Sequence, residues 1–460
     1  MNKQTILKIL KFTIRWGIAV FGIWYVISKM SWNDRVWAIL PGYAMPQSVA
    51  ISGETSGETD ATYPVIDPSS GKIEAIGRSE VVNEPDRAKM RVTENGKTQF
   101  VVGVDLSDDL KHANRLLLAD TPTGPVAHWA DPATVPDYHV MIPHPRVQIG
   151  VIRMTRQANP TYLIAALLVF PITILITSVR WHELLKALDI VIPLSRVFVL
   201  NMVGLFYNTF MPGSTGGDVL KAFYVAKQTH HGTRAVMSVI VDRAIGLMAL
   251  IILGGTMATF QWHNAKCRQV ALGSAVIIAA TAFGMILFYV PILRRISGLD
   301  WVIGKLPMQK QVAKAIETMH IFGQRPVLVT GATIVSFPVH MIVIISAMLA
   351  GMAFNLPIHS FYYWMAVPVI VLAGSIPISP QGAGVMEYFA INLLSPQGVT
   401  VGQAFALTMS IRLTQMFWNL TGGFFVIRGG FHAPTKSEKE QVEAEDEDEA
   451  HPKPASQNAT

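Results

Sequence analysis

Cysteine is what this sequence most conspicuously lacks. Cys267 stands alone among 460 residues, which excludes an intrachain disulfide framework and a multi-cysteine metal site. Acidic residues are nearly missing from one long stretch. Of the 31 Asp and Glu, 16 lie in 31–160 and eight follow Phe431, so the stretch from Thr161 to Gly430 holds seven, against 17 Lys and Arg. A water-soluble domain of that size would not tolerate the long charge-free runs found there. An ordinary soluble enzyme is thereby excluded. The net charge of +6 does not mark a nucleic-acid binder either, because most Lys and Arg of this stretch sit at the ends of apolar runs.

What the sequence does have is a series of apolar runs. The first, from about Trp16 to Ile27, follows Lys3, Lys8, Lys11 and Arg15 and ends without a small-residue cleavage site. It reads as a retained signal-anchor helix (segment 1–30) with a cytoplasmic N-terminus. Full spans are expected at about 161–179, 235–258, 268–292, 327–350 and 402–427, each able to cross roughly 30 Å of hydrocarbon. Two more runs are interrupted. One passes from Val197 through Asn208 and Met211-Pro212-Gly213-Ser214-Thr215-Gly216-Gly217-Asp218. The other passes from Tyr362 through Pro377-Ile378-Ser379-Pro380-Gln381-Gly382-Ala383-Gly384 to Glu387. Proline removes a backbone donor and glycine loosens a helix, so neither run should cross as a straight rod.

Charge at the span ends supports this scheme. With both broken runs re-entrant, the cytoplasmic segments hold Arg180, Lys186, Arg196, Lys221, Lys227 and Arg234, then Arg294, Arg295, Lys305, Lys310, Lys314 and Arg325. The outer loops hold Lys266 and Arg268, the asymmetry of the positive-inside rule. Segments 161–258 and 327–427 both read span, broken helix, span. Asp218 precedes Arg243 by the same offset at which Glu387 precedes Arg412. The fold class is therefore a mainly α, polytopic membrane protein, with about six full spans and two re-entrant broken helices in inverted repeats. Paired Gly/Pro-interrupted segments point to a transporter site at the repeat interface.

Ionisable groups in apolar surroundings cost roughly 2.5–3.5 kcal/mol each, so Asp218, Asp242, Arg243, Glu387 and Arg412 need partners or a function. One reading is mutual neutralisation that fixes helix packing. Asp242 and Arg243 are sequence neighbours, about 100° apart on a helix, and must look for different partners. The second reading concerns the breaks. A half-helix starting inside the membrane offers unsatisfied N–H groups and the positive end of its dipole to a phosphate or carboxylate. Gly213, Gly216, Gly217, Gly382 and Gly384, beside Pro212 and Pro380, would let a ligand approach the backbone. Ser214, Thr215, Ser379 and Gln381 would add hydrogen bonds, and Arg243 or Arg412 would add charge. Tight packing between small residues is the alternative role for the glycines. His340, alone in an apolar span, is expected to be a packed residue, and Asn419-Leu420-Thr421 lies in a span and carries no glycosylation meaning.

The stretch Asn208–Asp218, the triplet Val241-Asp242-Arg243 and the stretch Pro377–Glu387 together resemble the motifs of the lysylphosphatidylglycerol synthase/flippase transmembrane family, which includes the flippase part of the multiple peptide resistance factors. The resemblance covers about 161–430. It implies movement of a phospholipid or other lipid-linked substrate between leaflets, with Asp218, Arg243, Glu387 and Arg412 lining the route. The chain is expected to lack the cytoplasmic aminoacyl-transferase domain of bifunctional members, so lipid synthesis is not implied. It also departs from those members in carrying a long insert after the first helix.

That insert, 31–160, is expected outside the membrane on the extracytoplasmic face, with a β-rich module at about 75–157 after a Gly/Ser/Pro-rich stretch at 41–72. Asn95-Gly96 signals a hairpin between Ala88–Glu94 and Lys97–Leu106. Tyr138–Ile142 and Arg146–Met154 read as further strands. His112, His128, His139 and His144 are scattered, and no metal or cofactor is expected. The basic stretch Arg294–Arg325 reads as an interfacial amphipathic helix, and 431–460 as an acidic, disordered cytoplasmic tail. The expected partner is a membrane lipid with a phosphate head group, in a bacterial-type inner membrane, and not nucleic acid. A homo-oligomer and an extracytoplasmic partner for 31–160 stay open. So do two other functions: an intramembrane enzyme on a polyprenyl-phosphate carrier, and an ion-coupled solute transporter.

Overall fold

The computed structural model describes residues 24, 27–28, 31–40, 43, 46–52, 62–68, 70–82, 91–94, 97–106, 113–121, 126–135, 147–210, 216–229, 231–305, 309–376, 379–432, 435 and 437–438. Of the first apolar run, Trp24, Ile27 and Ser28 are among them and are helical; the rest, and 439–460, lie outside the described residues.

Strands begin well before residue 75. β1 (Arg35–Ala38) pairs antiparallel with β2 (Gln47–Ala50). β3 (Thr62–Ile66) pairs with β4 (Ile73–Gly77), and β5 (Val81–Val82) returns to β1. Alternation explains this early start: Tyr63 and Val65 are buried while Thr62 is exposed. β6 (Arg91–Glu94), β7 (Lys97–Leu106), β8 (Ala113–Ala119) and β9 (Val126–Ala130) form a four-stranded antiparallel meander. Glu94 pairs with Lys97, the two-residue hairpin register that Asn95-Gly96 predicts. The Trp37 indole donates to the Val102 carbonyl at 2.9 Å and ties the two sheets together. The expected strand at 146–154 is corrected: β10 (Val147–Gln148) is short, and α1 (Val151–Gln157) starts at once after Gly150. The other expected strand, 138–142, lies outside the described residues, as do His112, His139 and His144.

The insert closes where it opens. Val151 N donates to Ser31 O, and the Asp34 carboxylate accepts from Gly150 N at 2.8 Å and from Arg153 Nη1 at 2.7 Å. The chain then enters α2 (Pro160–Val169) and α3 (Pro171–Lys186), which together form one 27-residue apolar helix. Next come α4 (Leu194–Phe210), α5 (Gly216–Thr229), α6 (Gly232–Thr259) and α7 (Ala265–Tyr289). The short α8 (Pro291–Ile296), α9 (Leu299–Gly304) and α10 (Gln309–Gly323) follow. The second half holds α11 (Pro326–Ala353), α12 (Ser360–Ser375), α13 (Val385–Leu394) and α14 (Val401–Gly429). Among the described residues four helices are long and apolar enough to cross a membrane: α2–α3, α6, α7 and α11. α14 is as long but carries Gln403, Arg412, Gln415 and Asn419. This is an integral membrane protein with a small β insert.

The broken runs are helical hairpins. α5 packs back along α4 from the Gly204–Gly217 contact, and α13 packs back along α12, with Met386 against Gly374 and the Tyr362 hydroxyl on Leu393 O at 3.0 Å. Each hairpin then reaches across to the other half. α4 lies on α14, with Gly422 and Gly423 against Met202 and Phe206, and α12 lies on α6, with Gly254 against Pro368. One apolar core holds Trp181, Leu184, Leu200, Val203 and Leu220; another holds Ile344, Met365, Ile370, Leu394 and Leu407.

Candidate functional site

The first hairpin places Asp218 third in α5. A Cβ at Gly217 would overlap the Gly204 carbonyl, so only glycine lets α5 start this close to α4. Asn208 supplies a side-chain oxygen to Gly217 N at 2.8 Å, satisfying one of the donors that a helix start leaves open. Asp218 then forms an ion pair with Arg243 of α6 through Oδ2, while Oδ1 lies 3.4 Å from Lys221 Nζ. Lys221 is buried and stands over the Trp181 ring at 4.5 Å.

The second hairpin places Glu387 third in α13. Its tip is made by left-handed residues: Gln381 (φ 48°), Gly382 (φ 68°) and Gly384 (φ 83°). Gln381 is the unusual one, since a side chain in that region carries strain. Glu387 is 0% exposed and fully engaged. Its Oε2 accepts from Gly384 N at 2.7 Å, and its Oε1 from Arg412 Nη2 at 2.8 Å and Thr408 Oγ1 at 3.1 Å. The N-terminus of α13 thus receives the chain's own carboxylate at Gly384 N. Arg412 Nε also donates to Gln381 O at 3.4 Å.

A third pair was invisible in the sequence. Arg180, expected among the cytoplasmic span-end charges, lies inside α3 and is 7% exposed. Its Nε meets Asp242 Oδ1 at 2.8 Å, and its Nη1 donates to Ser336 Oγ at 2.6 Å. Lys221 needs the same correction, being 5% exposed rather than at a solvated end. In both cases a nearby acid makes burial of the cation tolerable. Asp242 and Arg243 indeed turn to different partners. His340 packs against α6 with Nε2 2.8 Å from Gly246 O.

The two tips meet. Gln381 Nε2 donates to Thr209 O at 3.4 Å. Beside this contact lies a cavity of about 170 Å³ lined by Asn208, Arg243, Gln381, Ser375, Gln415 and Asn419, with Leu205, Val371 and Met386 as its apolar wall. Gln415 and Asn419 were not among the sequence candidates. They sit three and seven positions after Arg412 on α14, on the helical face Arg412 shares, which was the available signal. Ser379 Oγ is buried with no hydrogen-bond partner among the described residues. Gly216 opens α5 and Pro380 belongs to the second tip, whereas Pro212, Gly213, Ser214 and Thr215 lie outside the described residues. No group of three metal-ligating side chains occurs among the described residues.

Such a fold, with buried ion pairs at two packed helical hairpins inside an apolar bundle, defines a polytopic helical membrane protein built around an internal polar site. The profile described as "Lysylphosphatidylglycerol synthase TM region" matches residues 150–423, and the chain belongs to that family. It is similar to a UPF0104 membrane protein of Pyrococcus horikoshii, with 22% identity over 303 residues covering 60% of this chain and 90% of that one. A UPF0104 membrane protein of Methanothermobacter thermautotrophicus is 26% identical over 291 residues, covering 58% of this chain and 84% of its own length.

Proposed function

We propose that this chain moves a phosphate-bearing membrane lipid, a phospholipid or a lipid-linked compound, between leaflets by alternating access. The observation that carries this reading is the charge arrangement at the cavity. Arg243, which pairs with Asp218, brings a guanidinium to a wall that also offers amides from Asn208, Gln381, Gln415 and Asn419. Such a wall suits a phosphate. About 170 Å³ holds a head-group fragment and no acyl chain, as a site grasping only the polar end of a lipid requires.

The hairpins supply the means of movement. With 17, 14, 16 and 10 residues, α4, α5, α12 and α13 extend about 25, 21, 24 and 15 Å at ~1.5 Å per residue, short of the ~30 Å core. In this reading both hairpins are re-entrant and the halves are inverted repeats. The exchange of packing, α4 on α14 and α12 on α6, is what a two-fold axis in the membrane plane would give. With the termini in the cytoplasm of a cell with an inner membrane, the insert faces outward. Rocking one half against the other would open the cavity to each leaflet in turn.

Dithionite accessibility of a fluorescently labelled phospholipid in proteoliposomes tests the proposal. Arg243→Gln and Asp218→Asn should each slow translocation by about tenfold or more, as loss of a charged contact implies, with elution profile and helicity unchanged. Unaltered rates in both folded variants would overturn it.

A further inference from the structure

A larger cavity, of about 460 Å³, lies away from the hairpins, between the β insert and α1. Trp32, Asn33 and Asp34 line it from the start of the insert, Ile51 from just after β2, Ile66 from β3, and Arg153, Arg156 and Gln157 from α1. α1 runs directly into α2, and Asn159 N donates to Ala353 O at the end of α11, so this cavity sits at one end of the membrane bundle. Trp32 is 51% exposed and Ile152 43% exposed. An aromatic and an aliphatic group at the mouth of a cavity level with a bundle end suit the water–lipid boundary.

Among the described residues that line it, charge does not cancel. Asp34 is committed to Arg153 and to Gly150 N, an arrangement that closes the insert. Arg156 has no ionic partner among the described residues and lines the cavity together with Asn33 and Gln157. One uncompensated guanidinium, polar donors and an isoleucine wall together select an amphiphilic anion. At ~30 Å³ per water the volume takes about 15 water-sized groups, room for a phosphate with its glycerol but not for two full acyl chains, most of whose length would lie outside. We infer that this cavity is a second lipid site, which holds the phosphate head group of an anionic membrane lipid at the bundle end through Arg156. The inference needs a membrane surface at that end but not lipid translocation, so it stands or falls separately from the proposed transport.

Trp32 makes the site observable. In full-length protein in detergent micelles, brominated phosphatidylglycerol should quench a fluorescence component that Trp32→Phe removes. Brominated diacylglycerol, which lacks the phosphate, should not. Arg156→Gln should weaken this quenching about tenfold in lipid concentration, the loss expected for one charged contact, and Arg156→Lys should retain most of it. Relief by millimolar glycerol phosphate would assign the site to phosphate chemistry whatever the carrier; no relief would assign it to a lipid-borne phosphate. Equal quenching by both brominated lipids, or a titration unchanged in a monodisperse Arg156→Gln protein, would overturn the inference.

Discussion

The two hairpin tips share an acid third in a short helix and an arginine at the same distance further along the chain, yet they are finished differently. Glu387 and Arg412 have side chains 0% and 8% exposed; both carboxylate oxygens accept hydrogen bonds, and Arg412 Nε and Nη2 both donate to protein atoms. Asp218 and Arg243 are 13% and 36% exposed and share a third charge in Lys221, and Arg243 lines the cavity. Burial decides what an ion pair can do. A sealed pair holds backbone in place and has no capacity left for a ligand; a pair with one guanidinium at a cavity wall can change partners. Duplicated spacing therefore does not mean duplicated surroundings.

The largest effect should come from breaking the sealed pair. Glu387→Ala leaves Arg412 buried without its counter-charge and removes the acceptor for Gly384 N, which should cost ~3–5 kcal/mol. Arg243→Gln should cost less than half of that, because Asp218 keeps Lys221 as a counter-charge. Chemical unfolding in detergent measures both, and equal losses would erase the distinction between the halves.

A smaller effect is expected from the tip backbone. At Gly382 (φ 68°) an added Cβ would meet Gly374 Cα, whereas at Gly374 it meets the flexible Met386 side chain. Gly382→Ala should destabilise by ~1–3 kcal/mol and Gly374→Ala by less, through strain and overpacking. Comparable melting shifts would show that the tip is softer than its geometry implies. Below this, Thr408→Val removes one hydrogen bond to Glu387 and should cost about 1 kcal/mol, without altering lipid movement. A translocation defect there would move the second pair from a structural to a working role.

Much of this arrangement could be read from residue order alone. Gly and Pro clusters inside apolar runs announced both breaks, and the equal acid-to-arginine offsets announced two pairs that do form. Partners remote in sequence could not be read. Arg180 lies 62 residues from Asp242, and nothing local distinguishes it from Lys186, which stays half exposed beside Glu183. Lys221 looked like a span-end charge because hydropathy averages over a helix face that packing later divides. The early strands of the insert were hidden by Gly, Ser and Pro, since strands as short as β1 and β2 give too few positions for alternation to register.

The smallest expected effect again separates the halves, now at their outer ends. After α14 the chain folds over the first hairpin: Tyr207 and Tyr224 donate to the carbonyls of Phe431 and His432, and Lys227 Nζ pairs with Glu438 at 3.0 Å. No comparable strap reaches α13 among the described residues. Glu438 is held down to about 2 from 4.5, first by the backbone N–H of Thr435 and then by Lys227. A depressed carboxyl contributes fully above the ordinary value and loses its contribution as pH falls toward the depressed one. The clasp should therefore be constant from neutral pH to about 4.5 and weaken below it, with a midpoint near 2. A fluorophore on Ser437→Cys in a Cys267→Ala background reports this as anisotropy. Because Glu438 is exposed and its ion pair screened, Glu438→Gln should lower the plateau and flatten the curve without moving the melting temperature. A wild-type midpoint near 4.5 would mean that the tail is not clasped, and the first hairpin would then be as free at its outer end as the second.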